Sequence, residues 1–388
     1  MEISPDEIRR RNFILPDEMP YTTPVEITYD SGNYPDVLDR CLALSNWLEF
    51  PNRRNNALKE GRYRGIGLSM YVEATTGDPL EEANLHFSEC GRLEVWLGTK
   101  SSGQGHETTY AQFLNELLNV PYDKIDIMEG DTEEVAIGGG TGGSRSIYMA
   151  GMALKDGAEK VIKKCLEIVA IMLEASVKDI RFDEGEFRII GTDRRVDIMA
   201  VAQASYNLSD LPENIAPGLD TNGRYDFSGE TVPNGCHIAE VEVDPETGKV
   251  HIVDYFSVSD FGRVVNPLLL EAQVQGGVAH GLGQALMEEV RYDSNSGQLL
   301  TGSFMDYCMP RADDLPFFIS EATDIPCPTN ELGVKGCGEA GTIAACATFI
   351  NAVIDALADF NVRHVDMPAS SEKVWQAINK AKDNQTPQ

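Results

Sequence analysis

Alternating apolar and polar positions predict two strand-rich regions in the chain. In the first, residues 83–88 and 93–97 each place apolar side chains on one face, as in a hairpin with one buried side. In the second, residues 236–243 and 249–258 flank a turn with the sequence Asp-Pro-Glu-Thr-Gly and predict another hairpin. Helical periodicity lies between and after these strands. The pattern therefore predicts an α+β fold in two lobes, with mixed sheets and helices packed on them.

Apolar residues at helical spacing predict four of these helices. They cover residues 110–118, 147–176, 268–289 and 343–360. The last of them is apolar on most of its faces, which is typical of a helix buried inside a protein.

The pattern divides the chain into five parts. Residues 1–60 make no core of their own, so we expect a connecting segment that lies across a larger partner; an ordinary N-terminal extension is the alternative. We expect a first lobe over residues 61–205 with two glycine-rich loops, and a second lobe over residues 236–375 with a glycine-rich helix and a loop that holds the candidate catalytic residue. The alternative is that strands before residue 130 and strands after residue 236 join one sheet. Between the two lobes, the polar residues 206–235 predict a surface loop, and residues 376–388 predict a flexible tail.

Composition narrows the classes of function. The formal net charge of -30 argues against a nucleic-acid-binding surface, because phosphate contacts need clustered Lys and Arg. No apolar run approaches the roughly 18 residues of a membrane-spanning helix, and the first residues lack the apolar core of a signal peptide. The eight cysteines are dispersed without a Cys-x-x-Cys pair, which favours reduced thiols over zinc or iron–sulfur ligands. We therefore expect a cytoplasmic protein without membrane insertion.

Two glycine-rich loops each precede a predicted helix. Backbone N–H groups at a helix start are free to bind anions, and the loops add donors for phosphates or for the edge of a heterocycle. Neither loop has the Gly-x-x-x-x-Gly-Lys-Ser/Thr pattern of a mononucleotide P-loop. The candidate binding residues are Gly103, Gln104, Gly105 and His106 in the first loop and Gly142, Gly143, Ser144, Arg145 and Ser146 in the second.

The predicted helix over 268–289 contains several glycines, each of which costs about 1 kcal/mol relative to alanine. Such glycines serve close packing or ligand approach, and we favour ligand approach. A lone histidine in a helix is more often a packed core residue, and the six histidines show no metal-ligand spacing, so protein-ligated zinc or non-haem iron is not expected. The candidate residues of this helix are Gln275, Gly276, Gly277, His280 and Gln284.

A carboxylate set among small residues precedes the last buried helix. Glu339 follows Lys335, Gly336 and Gly338, which are further candidate binding residues. Poor solvation over the start of a buried helix makes a carboxylate more basic and suits it to remove protons near neutral pH. The alternative is structural, because helix starts favour carboxylates in any case and Glu339 could cap the helix or pair with Lys335. Both interpretations stay open at this point.

Seven motifs occur in the order seen in one enzyme family. Together they resemble the catalytic subunits of molybdenum hydroxylases, the family of xanthine dehydrogenase, aldehyde oxidase and aerobic carbon monoxide dehydrogenase. The resemblance spans almost the whole chain, and seven ordered motifs are more specific than any one of them. The motifs are residues 102–108, 140–146, 240–248, 266–267 together with 273–277, 280–284, 306–310 and 333–341.

The resemblance implies a molybdopterin cofactor, in the cytosine dinucleotide form, whose dithiolene holds molybdenum without a protein ligand. In this family, Gln104 and its flanking glycines match the loop beside the pterin, and Ser144 and Ser146 match pterin or phosphate contacts. Glu339 matches the base that activates a water-derived oxygen for attack on an electron-poor carbon. Further cofactor contacts are matched by Gly276, Gly277, His280 and Gln284, although many relatives have glutamine at the position of His280.

The resemblance covers only the C-terminal half of the family's catalytic subunit. It implies that a partner protein carries the first molybdenum-binding domain, and that a [2Fe-2S] cluster and FAD lie on separate chains. Alone, the chain is not expected to complete an active site. Aldehydes, N-heterocycles and carbon monoxide all remain open as small-molecule substrates; the two loops lean mildly toward the carbon monoxide dehydrogenase branch, whose members are themselves diverse. A non-catalytic pterin-binding or scaffold remnant is the alternative function.

Overall fold

The computed structural model describes residues 3–207, 216–227 and 229–385. Its helices are α1 (Pro5–Arg10), α2 (Tyr34–Leu44), α3 (Phe50–Lys59), α4 (His106–Leu118), α5 (Ser146–Met172), α6 (Ile198–Ala204), α7 (Pro267–Leu286), α8 (Ala340–Ala356) and α9 (Ser371–Gln385). Its strands are β1 (Tyr21–Thr22), β2 (Thr28–Tyr29), β3 (Tyr63–Val72), β4 (Leu80–Phe87), β5 (Leu93–Leu97), β6 (Ile125–Glu129), β7 (Ile180–Asp183), β8 (Glu186–Ile189), β9 (Arg195–Asp197), β10 (Thr221–Asp226), β11 (Asn234–Val243), β12 (Val250–Asp260) and β13 (Phe318–Thr323). Among the described residues, no helix has the length and hydropathy needed to cross a membrane.

The first lobe is built on a four-stranded sheet of order β10-β4-β5-β6. Strand β4 runs antiparallel to β10 and β5, so the hairpin predicted over 83–97 is confirmed, and β5 runs parallel to β6. Every second side chain of β5 is buried (Leu93, Val95 and Leu97), in one hydrophobic core with residues of α4 and α5. This core contains the apolar face that the alternation in the sequence predicts.

The parallel pairing of β5 and β6 brings both glycine-rich loops to one edge of this sheet. Leu97 at the end of β5 pairs with Glu129 at the end of β6, so residues 98–105 and 130–145 leave the sheet side by side. The loops touch at Gly98, where an added Cβ would lie 2.3 Å from the Gly138 Cα. Each loop then enters a helix, α4 or α5. The direction of the strands therefore places the two helix starts next to each other.

The second lobe is built on a sheet of order β13-β12-β11-β3, in which only β13 runs parallel to its neighbour. The hairpin predicted over 236–258 is confirmed as β11 and β12. Helix α8 packs on β3 and β11, α7 packs on α8, and α2 packs against β11 and β12. All residues of β11 are buried, because helices cover the sheet on both faces.

Glycines allow α8 to lie directly on the backbone of β3. A Cβ on Gly65 or Gly67 would lie 2.1 Å from the carbonyl oxygen of Ala352 or Thr348 respectively. No side chain fits in that space. This close contact fixes the position of α8 and, with it, the loop that precedes the helix.

Three parts of the predicted organisation differ from the structure. Strand β3, assigned to the first lobe, pairs with β11 in the second, because alternation shows a buried face but not the partner strand. Edge strand β10 lies inside the predicted surface loop 206–235 and has mostly polar side chains, so no apolar alternation marks it. Helix α9 occupies the predicted tail as far as Gln385. Residues 208–215 and 228 of the predicted loop and 386–388 of the predicted tail lie outside the described residues.

Candidate active site

A cavity of about 600 Å³ lies where the two lobes meet. Four helices begin at its wall: α4 through His106 and Thr109, α5 through Ser146 and Ile147, α7 through Asn266 and Leu269, and α8 through Gly338 and Glu339. The first turn of each helix has backbone N–H groups without partners in the helix, and the helix dipole makes this end positive. Four such ends around one cavity favour an anionic or acceptor-rich ligand.

A buried ion pair holds the second loop in place. Arg145 donates from Nη1 to Glu81 Oε2 at 2.6 Å and from Nη2 to the carbonyl oxygens of Asp78 and Leu80 at 3.0 and 2.9 Å. Its side chain is 2% exposed. The predicted role of Arg145 as a ligand donor is therefore not what the geometry shows, since the guanidinium points into the protein and is used in fixing the loop to β4.

His106 connects the first loop to the end of β6. Its Nδ1 lies 2.9 Å from Glu129 Oε1, and its Nε2 lies 3.2 Å from Gln104 Nε2. Burial alone would raise the pKa of Glu129, but hydrogen bonds from His106 and Thr99 outweigh it and hold this pKa below its usual range. The ionised Glu129 favours the tautomer with the proton on Nδ1, which leaves Nε2 to accept from the Gln104 amide. Gln104 is thereby oriented at the cavity wall.

Glu339 lies exposed at the cavity as the N-cap residue of α8, and its side chain makes no capping hydrogen bond. Lys335 is not its partner, because Lys335 Nζ donates to Asp260 Oδ2 at 2.7 Å and to the Ser31 carbonyl oxygen at 2.9 Å. Both structural alternatives for Glu339 are therefore wrong. The expected burial is also wrong for Glu339 itself, because it faces the open cavity.

Ser144 links Glu339 to a second carboxyl group that the sequence did not reveal. Ser144 Oγ lies 2.9 Å from Glu339 Oε2 and 2.5 Å from Glu73 Oε1, and the Glu339 N–H donates to the same oxygen at 3.1 Å. Glu73 follows β3 and is buried, with 9% of its surface exposed. The cavity wall thus holds one exposed carboxyl group, one bridging hydroxyl and one buried carboxyl group.

The comparison with known families agrees with this site. Residues 40–316, well over half of the chain, match the family model of the molybdopterin cofactor-binding domain. The chain belongs to the molybdopterin cofactor-binding domain family. The resemblance that the seven motifs indicated is confirmed.

Named relatives of this molybdopterin-binding chain are large subunits of oxidoreductases. The chain is similar to the nicotine 6-hydroxylase large subunit of Paenarthrobacter nicotinovorans (37% identity, all of this chain and 49% of the relative). It is also similar to the carbon monoxide dehydrogenase large chain of Afipia carboxidovorans (34%, covering 97% and 48%). Each relative is therefore about twice as long as the chain.

Solved structures give the same result for the fold. Carbon monoxide dehydrogenase from Oligotropha carboxidovorans matches with a TM-score of 0.90 at 33% identity, covering 99% of this chain and 50% of that one. Quinoline 2-oxidoreductase from Pseudomonas putida 86 matches with a TM-score of 0.88 at 32% identity, covering 97% and 50%. The α+β fold predicted from the sequence is the fold of these molybdenum-enzyme chains.

The cavity fits a molybdopterin. Gly103 and Gly142 line it, and a Cβ added to either residue would meet no atom within 4 Å, so the backbone of both loops is open to a ligand. Arg263 is exposed at the wall, and no carboxylate among the described residues pairs with it. A free guanidinium beside several helix starts suits a phosphate group.

The structure divides the predicted site residues into two groups. Those that line the cavity are Gly103, Gln104, His106, Gly142, Gly143, Ser144, Ser146, Lys335, Gly338 and Glu339. Those that do not are Gly105, Arg145, Gln275, Gly276, Gly277, His280, Gln284 and Gly336. On α7, His280 and Gln284 are exposed, whereas Gly277 packs against α8, where its added Cβ would lie 3.0 Å from the Gly341 Cα. Close helix packing, rather than the favoured ligand approach, accounts for Gly277.

Sequence reasoning missed three polar groups at or behind the cavity wall: Glu73, Arg263 and Gln273. Gln273 Nε2 donates to the Gly338 carbonyl oxygen at 2.7 Å and thereby joins α7 to the loop before α8. Arg263 precedes α7 and Gln273 lies in its second turn, so an arginine close to a helix start was the available signal in the sequence. Glu73 had no such signal, because a glutamate that ends a strand is usually exposed.

Proposed function

We propose that the chain is the cofactor-binding part of a molybdenum hydroxylase catalytic subunit, with molybdopterin cytosine dinucleotide in the cavity and Glu339 as the base. The observation that carries the proposal is the convergence of four helix starts and one exposed carboxylate on a single cavity. The helix starts supply donors for an acceptor-rich cofactor, and the carboxylate supplies the proton acceptor. When bound, the molybdenum cofactor would supply the two-electron oxidation.

Each part of the wall has a separate proposed task. The open backbone at Gly103 and Gly142, together with the oriented amide of Gln104, would bind the pterin edge. Arg263 and Ser146 would bind the phosphates by charge-assisted hydrogen bonds. Glu339 would take a proton from the water-derived nucleophile at its Oε2 or Oε1. None of these groups need bind the metal directly, since the dithiolene of the bound cofactor would do so.

The other half of the catalytic subunit would come from a partner protein. The chain spans about half the length of the curated relatives it matches, and we propose that the partner carries the first molybdenum-binding domain. Exposed large apolar side chains are frequent between residues 290 and 319, where a partner could bury them. They are Val290, Tyr292, Leu299, Leu300, Phe304, Met305, Met309, Phe317 and Ile319. We place the [2Fe-2S] cluster and FAD on further chains and the complex in the cytoplasm.

For the substrate we propose a small N-heterocycle, hydroxylated at an electron-poor carbon. Nicotine 6-hydroxylase and quinoline 2-oxidoreductase, two of the similar proteins, are named for N-heterocycles. Another relative is named for carbon monoxide, and aldehydes are a further class within the family. An assay with members of all three classes would separate these substrates.

The test of this function is Glu339→Gln in the chain co-purified with its partner. Glutamine keeps the size of the side chain but cannot take up a proton, so turnover should fall by roughly 10²- to 10⁴-fold. Molybdenum and cytidine nucleotide content should stay at the wild-type level, because other residues hold the cofactor. A variant that keeps full turnover would exclude Glu339 as the base. A wild-type complex that holds cofactor but turns over no substrate would favour the non-catalytic alternative.

A further inference from the structure

The contacts around Ser144 favour a proton shared with one of two neighbouring carboxyl groups. One serine hydroxyl has one proton to donate and two lone pairs to accept with. Ser144 Oγ contacts Glu73 Oε1 at 2.5 Å and Glu339 Oε2 at 2.9 Å, while it accepts from the Glu339 N–H at 3.1 Å. If both carboxyl groups were ionised, one of the two oxygen–oxygen contacts would have no proton. The geometry therefore favours a proton on one of the two carboxyl groups.

We propose that Glu73 holds this proton on Oε1 and donates it to Ser144 Oγ, which in turn donates to an ionised Glu339, so that Glu73 positions the catalytic carboxylate. This arrangement uses the full capacity of the hydroxyl. Ser144 Oγ accepts from Glu73 and from the Glu339 N–H, and it donates once, to Glu339 Oε2. The importance of these hydrogen bonds for catalysis rests on the proposed role of Glu339. The presence of the shared proton does not depend on that role.

Burial identifies Glu73 as the protonated member. Glu73 is 9% exposed, and its Oε2 is a buried atom without a hydrogen-bond partner, whereas Glu339 faces the cavity. A buried carboxylate with an oxygen that has no donor is less stable than the neutral carboxylic acid. In agreement, burial raises the pKa of Glu73 to about 7; the bond with Ser144 lowers it in part, and the charge of Glu339 adds to the rise.

The other titratable groups around Glu73 carry no charge that would favour the proton on Glu339 instead of Glu73. Tyr71 on β3 and Cys337 in the loop before α8 both interact with Glu73, and burial raises the pKa of the Cys337 thiol to about 12 and that of the Tyr71 hydroxyl further. Both are therefore neutral near pH 7. The buried Lys335 ammonium is neutralised by Asp260. Glu339 remains the charged neighbour.

The raised pKa of Glu73 determines how the stability of the folded chain changes with pH. The pKa of Glu73 is higher in the folded chain than in the unfolded chain, so the folded state binds more protons between these two values. Its contribution to stability is present at low pH and is lost as pH rises towards and past 7. Above that range both carboxyl groups are ionised, and Ser144 can donate to only one of them.

The experiment is urea unfolding of the full chain at pH 6 and pH 8, for wild type and Glu73→Gln. The glutamine amide can donate to Ser144 in place of the carboxylic acid, but it cannot ionise. Between pH 6 and pH 8 the unfolding equilibrium constant should therefore increase by a larger factor in wild type than in the variant. The factor for wild type should be roughly ten times the factor for Glu73→Gln. Parallel profiles for the two proteins would overturn the proposal. Neither result depends on cofactor binding, so failure here is distinct from failure of the proposed function.

Glu242→Gln on β11 is the matched control. Burial alone would raise the pKa of Glu242, but Arg62 and Arg64 outweigh it and hold this pKa low, so Glu242 is ionised at both pH values. The control should lose stability at pH 6 and pH 8 alike and keep the wild-type pH slope. If it flattened the slope as Glu73→Gln does, the effect would not be specific to Glu73.

A second measurement keeps the proposal testable if Glu73→Gln does not fold. Infrared spectra of the wild-type chain with 13C-labelled glutamate separate protonated from ionised side-chain carboxyl groups. A protonated glutamate band that is present at pH 6 and disappears towards pH 8.5 is the expected result. Its absence at pH 6 would overturn the proposal.

Discussion

At the scale of single residues, three glutamates beside one cavity differ because of their surroundings. Glu339 is exposed and faces the cavity, and Glu73 is buried with one unpartnered oxygen. The side chain of Glu129 is 3% exposed and contacts His106. Desolvation favours the neutral acid in Glu73, whereas hydrogen-bond donors favour the ion in Glu129. In the roles proposed above, the same type of side chain would therefore serve as a base in Glu339 and as a proton donor in Glu73, while Glu129 holds a histidine in place.

Arg263 provides a prediction at this scale. Arg263→Gln removes the unpaired positive charge from the wall of the cavity, and the loss of a charge-assisted hydrogen bond should weaken cofactor binding by roughly 1.5–3 kcal/mol. Cytidine nucleotide released from the co-purified complex should fall, while the free energy of unfolding of the chain stays within about 0.5 kcal/mol of wild type. The control is Arg291→Gln, which replaces an exposed arginine that pairs with Glu289. This variant should keep the nucleotide. Equal nucleotide content in both variants would remove Arg263 from the site.

The residues that could be predicted from the sequence are those whose function depends on local order. Gln104, Ser144 and Glu339 belong to short motifs next to helix starts, and all three line the cavity. Glu73 and Arg145 depend on contacts between distant segments. Ser144 is 71 positions from Glu73, so no local sequence pattern indicates that contact. The same holds for the buried ion pair of Arg145 with Glu81.

At the scale of elements, the packing of α7 on α8 explains why α7 carries glycines at the cost of helix propensity. An added Cβ on Gly281 would lie 2.7 Å from the Ala345 Cβ, whereas one on Gly276 would meet no atom within 4 Å. These two glycines of the same helix therefore have different roles. Sequence patterns predicted the helix but could not show which glycines face a neighbouring helix, since that depends on how α8 lies on β3.

This difference gives a paired prediction. Gly281→Ala should destabilise the chain by roughly 1–3 kcal/mol through overpacking against α8. Gly276→Ala should be neutral or stabilise the chain by roughly 0.5–1 kcal/mol, because alanine favours the helix and nothing obstructs its methyl group. Chemical denaturation of both variants measures the difference. Equal losses at the two positions would show that α7 does not pack on α8 as described.

At the scale of the whole molecule, the site exists because two lobes each contribute half of its wall. The parallel pairing of β5 and β6 places two loops at one edge of the first sheet. The packing of α8 on β3 of the second sheet positions Glu339. The alternation of apolar and polar residues predicted strands in both sheets but did not assign β3 to the second sheet. Local alternation shows which face of a strand is buried, but it does not identify a distant partner strand. The chain spans about half the length of the curated relatives it matches.

The central claim is that this cavity holds a molybdopterin cytosine dinucleotide. The most direct measurement is molybdenum content by elemental analysis, together with released cytidine nucleotide, on the chain purified alone and co-purified with the protein that carries the other half. We predict near-equal amounts of molybdenum and cytidine nucleotide in the co-purified complex, and less of both in the chain alone. A complex that contains neither molybdenum nor nucleotide would contradict the account.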